Sequence, residues 1–328
     1  MKPFCWRKFS LTTVNFGTFF SDMINHHFSP DMPINCKIFI PFLKWSAVIL
    51  IVLFTFSSCD KENQQQEDEN LPELTMNDVS YGEDAKQKMD IFLPAGRSVK
   101  HTPVLVMIHG GGWKEGDKAD FKAYLDTLKR RLPDYAIFNI NYRLANVDYG
   151  KNLFPTQEND VNEAVSFIVS HLGEYHISNK MALLGASAGG HLALLQGYKY
   201  VDKIKVKAIV DFFGPVNMKN MYNYPTNILM GYLILAVMGG TPEMLPDLYY
   251  QSSPSSFVNS QSAPTIILHG GIDPLVSPSQ STSLRDALQE AGVANQYVFY
   301  PNEGHGWVGA NLTDSFNQIE AFLKEHVK

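Results

Sequence analysis

Ser187 lies in a segment whose composition suits a serine nucleophile held in a sharp turn. It is the centre of Gly-Ala-Ser-Ala-Gly at 185–189. Small residues on both sides of the serine permit a tight strand-to-helix turn that holds the hydroxyl out at the top of a sheet. An apolar run at 180–184 precedes the turn, and a run of helical composition at 191–198 follows it. The pattern predicts strand, turn and helix with Ser187 as nucleophile; the alternative is a turn without chemistry.

A glycine-rich loop earlier in the chain could stabilise the negative charge that acyl transfer creates. The sequence His-Gly-Gly-Gly-Trp at 109–113 follows an apolar run at 103–108. Fixed backbone N–H donors aimed at an oxyanion contribute roughly 3 to 4 kcal/mol each to the rate. We expect Gly111, Gly112 and Ala188 to supply these donors, and His109 to shape the loop by hydrogen bonding.

Two later loops supply an acid and a base. Asp273 follows the apolar run 264–268, and His305 stands between two glycines after the run 296–300. The order Ser, Asp, His is the one that the α/β-hydrolase fold requires. Asp211, which closes the strand at 208–210, is the rival acid. His269, at a strand end, is the rival base and is interpreted instead as a packing or loop-bonding residue.

These motifs, taken together, resemble one family. His-Gly-Gly-Gly-Trp, then Asn-Tyr-Arg-Leu-Ala at 141–145, Phe-Pro at 154–155 and Gly-Ala-Ser-Ala-Gly-Gly-His-Leu-Ala at 185–193 are similar to the α/β-hydrolase esterases of the hormone-sensitive-lipase type. Among these the resemblance is nearest to the BD-FAE type of carbohydrate esterase, from about Tyr81 to the C-terminus. It implies removal of acetyl or feruloyl groups from plant polysaccharides, and a structural pairing of Arg143 with Asp160.

The alternation of apolar strands and helical stretches predicts an α/β fold. Strands of this kind, separated by helices, form a mostly parallel central sheet that is covered on both faces. With 328 residues and 45% apolar content, the chain can bury one sizeable core. We expect an α/β-hydrolase domain at 71–328, in which 216–258, rich in tyrosine and apolar residues, forms a small helical cap. An insertion that merely packs is the alternative.

The amino-terminal region has the composition of a targeting signal rather than of a folded domain. Two lysines precede an apolar run at 47–56, and small residues then lead to Cys59, as in a bacterial lipoprotein signal. We expect 1–58 to be a signal region, with Met32 as an alternative start of translation, and 59–70 to be a lipidated cysteine and polar tether. A transmembrane anchor is the alternative, but the run is short for a membrane span, which needs about 20 residues. The prediction is an exported lipoprotein, anchored at the periplasm or cell surface.

Composition excludes several kinds of chemistry and partner. The three cysteines, Cys5, Cys36 and Cys59, all precede the catalytic region, so a disulfide or cysteine nucleophile there is excluded. No His-Glu-x-x-His or Cys-x-x-Cys spacing predicts a metal, and no cofactor is expected. Without 1–58 the chain has 22 basic and 31 acidic residues, a net charge of −9, which disfavours nucleic acid as a partner.

The expected activity is that of a serine carboxylesterase acting through an acyl-enzyme. Its substrate would be an acylated carbohydrate or a small ester, and Trp113 and Trp307 could form an aromatic platform for a sugar or feruloyl ring, although packing is the commoner role. An arylformamidase, another amidase or a peptidase-like hydrolase shares some of these motifs. A glycan-binding relative without turnover is the third possibility.

Overall fold

A computed structural model describes residues 71–201 and 204–328. Within these residues, one eight-stranded sheet has the order β1-β2-β4-β3-β5-β6-β7-β8. Strand β2 runs antiparallel to both neighbours, and the remaining pairs are parallel. The strands are β1 (Leu74–Ser80), β2 (Lys88–Leu93), β3 (Val104–Ile108), β4 (Ala136–Ile140), β5 (Met181–Ala186), β6 (Ala208–Phe212), β7 (Thr265–Gly270) and β8 (Asn295–Tyr300).

Helices connect the parallel strands and cover both faces of the sheet. The described α-helices are α1 (Lys122–Arg131), α2 (Thr156–Ser170), α3 (Ala188–Lys199), α4 (Met218–Asn223), α5 (Ile228–Met238), α6 (Pro246–Gln251), α7 (Pro278–Glu290) and α8 (Gly309–His326). Short 3-10 turns occupy Lys118–Phe121 and Pro254–Phe257.

The core lies on both faces of the sheet because successive strand residues point to opposite sides. In β3, Val104, Val106 and Ile108 belong to the core with α2 and α3. Leu105 and Met107, between them, belong to the core with α1 and α8. All five are fully buried, as strands of a sheet covered on both faces must be. The predicted α/β-hydrolase fold is confirmed.

The predicted cap region, 216–258, contains α4, α5 and α6. Helix α5 begins after Asn227, whose side chain accepts a hydrogen bond from the Met230 backbone N–H at 3.1 Å, and ends at Gly239, which has a φ of 78°. Nearly every residue of α5 is apolar, yet Ile228, Leu229 and Tyr232 are exposed. The helix therefore has one face on the domain and one apolar face in solvent.

The predicted signal region at 1–58, Cys59 and the tether lie outside the described residues. In the described part of the chain, no helix combines the length and apolar character needed to cross a bilayer.

Candidate functional site

Ser187 lies at the turn between β5 and α3, at the carboxyl edge of the parallel strands. Its backbone has a φ of 55° and a ψ of −121°, a region that non-glycine residues rarely adopt and that is retained where surrounding structure imposes it. Its N–H donates to the Phe212 carbonyl at 2.8 Å, and its carbonyl accepts from the His191 N–H at 3.0 Å. A side chain at Gly189 would collide with the carbonyl of Ile108. The turn thus requires the small residues found in the motif.

The glycine loop passes directly beside Ser187. A Cβ added at Gly110 would lie 3.4 Å from the Cβ of Ser187. Gly111 and Gly112 have φ values of 102° and 55°, which favour glycine. Among the hydrogen bonds of the described residues, none is donated by the N–H of Gly111, Gly112 or Ala188. These three donors are available to a ligand.

His109 supports the glycine loop from below. Its ring stacks on Tyr142 at 4.2 Å between centroids, and its Nδ1 donates to the Gly110 carbonyl at 2.7 Å. The Tyr142 hydroxyl donates to the carbonyls of His109 and Gly110. Burial lowers the pKa of His109, which favours the neutral ring. These contacts agree with the loop-shaping role predicted for it.

Asp273 and His305 form a hydrogen-bonded pair at the same edge of the sheet. The His305 Nδ1 lies 2.7 Å from Asp273 Oδ2, so Nδ1 carries the hydrogen and Nε2 is left as an acceptor. Asp273 Oδ1 accepts from the N–H groups of Leu275 and Val276 at 2.8 and 3.0 Å.

The surroundings of Asp273 keep it ionised. Burial acts to raise the pKa of Asp273, but hydrogen bonds from His269 and His305 outweigh it and hold this pKa well below the usual range. The carboxylate is therefore charged at neutral pH and can stabilise an imidazolium at His305.

The rival acid, Asp211, is directed elsewhere. Its Oδ1 accepts from the Gly214 N–H at 3.0 Å, and a Cβ at Gly190 would collide with the same oxygen. Within the described residues Oδ2 has no hydrogen-bond partner. Burial raises the pKa of Asp211 to about 7. Asp211 thus lies beneath the nucleophile turn, whereas His305 is bonded to Asp273.

Trp113 cannot serve as the aromatic platform proposed from the sequence, because its side chain is 1% exposed. It takes a φ of 60°, and its indole N–H donates to His191 Nδ1 at 3.1 Å. His191 Nε2 in turn donates to the Ser252 carbonyl at 2.7 Å. Burial lowers the pKa of His191 to about 4, which keeps the ring neutral. These contacts connect the glycine loop to α3 and to the predicted cap region. The sequence motifs assigned His191 no role of its own.

Trp307 lines a cavity of about 230 Å³ that adjoins the acid–base pair. Its indole N–H donates to the Ser315 hydroxyl at 2.8 Å, which fixes the ring. His305 and Ala186, which flank the predicted nucleophile, also form part of the wall. The remaining wall is mostly aromatic and aliphatic: Phe121, Tyr124, Leu128, Leu184, Phe212, Phe213, Leu312 and Phe316, with Gly306.

Helix α5 contacts the loops that carry the predicted site residues. The Asn227 side chain donates to the Pro274 carbonyl at 2.7 Å, and the Thr226 hydroxyl donates to the Leu275 carbonyl at 2.8 Å. At the glycine loop, a Cβ on Gly112 would lie 2.9 Å from Leu233 Cδ2. The segment 226–238 therefore spans from the loop at 273–276, the predicted acid loop, to the glycine loop at 109–113, the predicted oxyanion loop.

Metal ligation is not evident in residues 71–201 and 204–328, where no three His, Cys, Asp or Glu side chains are grouped so that they could hold an ion. The pair of Arg143 and Asp160 is structural: Asp160 is 0% exposed and accepts hydrogen bonds from the backbone and guanidinium of the partly exposed Arg143. This is the pairing that the resemblance implied.

The sheet order, the serine turn after β5 and the Asp-His pair after β7 and β8 define an α/β-hydrolase. A sequence profile of the BD-FAE family matches residues 89–288. The chain belongs to the BD-FAE family, as its motifs predicted.

Individual relatives are more distant. Esterase LipC of Mycobacterium tuberculosis is 24% identical over 263 residues, covering 75% of this chain and 64% of LipC. The bifunctional GH43-CE protein of Bacteroides eggerthii has a TM-score of 0.67 and 26% identity, covering 77% of this chain and 38% of that one. A truncated carbohydrate esterase from gut microbiota has a TM-score of 0.66 and 25% identity, covering 80% and 98%. The chain thus spans just under two thirds of LipC.

Proposed function

We propose that this protein is a serine carboxylesterase with Ser187 as nucleophile, His305 as general base and acid, and Asp273 as the group that orients His305. The observation that carries the proposal is the meeting of three features at one sheet edge: the strained serine turn, the Asp273–His305 pair and the unpaired N–H donors. The esterase relative and the carbohydrate esterase neighbours support the same reaction.

The proposed reaction proceeds in two halves. Ser187 Oγ attacks the ester carbonyl carbon while His305 Nε2 takes the hydroxyl proton, and the carbonyl oxygen becomes an oxyanion bound by Gly111, Gly112 and Ala188. His305 returns the proton to the leaving alcohol, which gives an acyl-enzyme. Water, deprotonated by His305 Nε2, then attacks this ester, and His305 returns that proton to Ser187 Oγ as the acid leaves.

The proposed substrate is a carbohydrate that carries an aromatic acyl ester of the feruloyl kind, with acetyl esters as poorer substrates. The cavity beside His305 supports this preference. A dry apolar cavity of about 150 Å³ can hold benzene, so the space of about 230 Å³ next to Ala186 and Trp307 suits one substituted ring. An acetyl group would leave most of it empty.

Hydrolysis of acetylated xylan, a feruloyl ester and a nitrophenyl ester by residues 71–328 tests the reaction, with Ser187→Ala as blank. Ser187-dependent release and labelling of Ser187 by a fluorophosphonate are expected. Turnover that survives Ser187→Ala, or an absence of turnover and labelling, would refute the esterase proposal.

Filling the cavity tests the acyl preference. Leu312→Trp is expected to slow release of the feruloyl group several-fold more than release of acetate, because the new ring occupies the space beside Trp307. Val308→Trp is the matched control, since Val308 is exposed and does not line the cavity. Equal slowing of both esters by Leu312→Trp would count against an acyl group in this cavity.

We further propose that Cys59 carries a lipid anchor, a prediction that rests on the small residues before it. Expression of the full chain in a bacterial host, followed by detergent partitioning, tests it. Wild type is expected in the detergent phase and Cys59→Ala in the aqueous phase. The same partitioning of both proteins would rule out lipidation at this residue.

A further inference from the structure

Two histidines, not one, hold the carboxylate of Asp273. Oδ2 lies 2.7 Å from His305 Nδ1 and 3.2 Å from His269 Nε2, and the side chains of Asp273 and His269 are both 0% exposed. The proposed mechanism uses only His305. Resting on the proposed esterase function, we propose that His269, oriented by Ser281, is a positioning residue that fixes Asp273 and tunes its charge.

The surroundings of His269 determine which nitrogen carries its hydrogen. Nε2 faces two acceptors, the Val276 carbonyl at 2.9 Å and Asp273 Oδ2. Nε2 must therefore be the donor. In the neutral ring Nδ1 is then an acceptor, and the buried Ser281 hydroxyl, 2.7 Å away on α7, donates to it. Ser281 thus holds the tautomer in which His269 donates to Asp273.

The two oxygens of Asp273 have different partners. Oδ1 is occupied by the backbone N–H groups of Leu275 and Val276, which fix the turn of the acid loop. Oδ2 serves both histidines, so the donation from His269 draws negative charge away from the oxygen that His305 uses. Without that donation Oδ2 becomes a stronger acceptor, and it interacts more strongly with an imidazolium at His305.

Carboxyl groups and an aromatic ring face the two histidines. His269 interacts electrostatically with two carboxyls, Asp273 on the acid loop and Asp211 on β6. His305 contacts Asp273 and the ring of Phe213. Packing alone would explain why His269 is buried. It would not require a ring with both nitrogens bonded and one of them directed at the acid.

Four variants separate the positioning role from a packing role. His269→Leu removes the donor while filling the space. His269→Gln places an amide N–H near the position of Nε2 and restores donation to Asp273. Ser281→Ala removes the hydroxyl that donates to Nδ1 of His269, so the tautomer of His269 is no longer fixed. Ser283→Ala, on the same helix, is the matched control, because among the residues that the structure describes its hydroxyl bonds only to the carbonyl of Gln280, at 2.8 Å.

We expect His269→Leu to lower kcat on nitrophenyl acetate about 100-fold with little change in KM, since misplacing a catalytic group can cost about that much. The acid limb of the kcat/KM profile should move to higher pH. His269→Gln should recover most of the rate, Ser281→Ala should lose several-fold with the same direction of shift, and Ser283→Ala should match wild type.

The hydrolysis rates of wild type and of Ser187→Ala are compared first, so that failure of the esterase proposal is recognised separately. The downfield NMR resonance of the His305 Nδ1 proton then reports the hydrogen bond to Asp273 without turnover. It should move in His269→Leu and return in His269→Gln. Unchanged resonance and pH profile in His269→Leu would overturn the inference. If that variant fails to fold, wild-type behaviour of Ser281→Ala would do so.

Discussion

Asp211→Asn is expected to stabilise the folded protein at alkaline pH and to leave stability almost unchanged in acid. Asp211 is fully buried, has one hydrogen bond from Gly214, and within the described residues leaves Oδ2 unpartnered. A buried carboxylate with so few donors is costly to ionise. Asparagine has nearly the shape of the protonated acid and cannot ionise, so it removes the cost of the charge alone.

The magnitude follows from the displaced titration. Burial raises the pKa of Asp211 from 3.8 to about 7, with His269 and the Gly214 N–H acting in the opposite direction. Between these values the folded protein holds a proton that the unfolded chain has lost, so stability falls as pH rises through this window and stays low above it. About three pKa units at about 1.4 kcal/mol each correspond to about 4 kcal/mol.

Urea unfolding of wild type and Asp211→Asn at about pH 4.5, 6 and 8.5 measures this difference. The gain in unfolding free energy should be about 1 kcal/mol at the lowest pH, which lies just inside this window, and approach about 4 kcal/mol at the highest. Asp148→Asn, at an exposed position, is the control and should show no such trend. An equal gain at every pH, or none at about pH 8.5, would refute the assignment of an unfavourable buried charge to Asp211.

Three other expectations concern the site and its support. Asp273→Asn should lower kcat by about 10⁴-fold, because it disturbs the tautomer of His305, whereas Asp211→Asn should retain most ester hydrolysis; similar losses in both would revive Asp211 as the acid. Gly112→Ala should lower kcat and change KM less, because a side chain there needs a positive φ and meets Leu233. Adding Leu233→Ala should restore only the part of the activity that the collision removed. Full restoration would contradict backbone strain at this position. Asp160→Ala should lower the unfolding free energy, measured by urea titration, by about 3 to 5 kcal/mol, since it leaves Arg143 without its buried partner. A loss below about 1 kcal/mol would show that the pair contributes little to stability.

The sequence was most informative where chemistry and backbone geometry impose the same residues. The turn at Ser187 requires small neighbours because backbone atoms approach closely there, and the fully buried parallel strands require continuous apolar runs. Those constraints predicted the positions of β3 to β8 and the pairing of Asp273 with His305. The catalytic roles themselves remain predictions.

Other features left no local pattern in the chain. Strand β1 is largely exposed and β2 only partly apolar, so neither gave the continuous run by which the inner strands were identified. Burial of Trp113 depends on its contact with His191, 78 residues away. The bond of Ser281 to His269 likewise joins a helix to a strand end. Such contacts depend on how distant segments pack together, and the local periodicity of the sequence does not indicate that packing.

Attachment of the predicted cap segment, 216–258, at several points limits how it can be exchanged between enzymes. Gln280 on α7 accepts from the backbone of Val216 and Asn217 at the start of the segment. Asn227 holds the acid loop, and Leu233 lies over Gly112. A chimera that received another 216–258 segment would therefore keep its own acid loop and oxyanion loop but lose the contacts that hold them. Recombination in this family should succeed when the segment and these contact positions are transferred as one block.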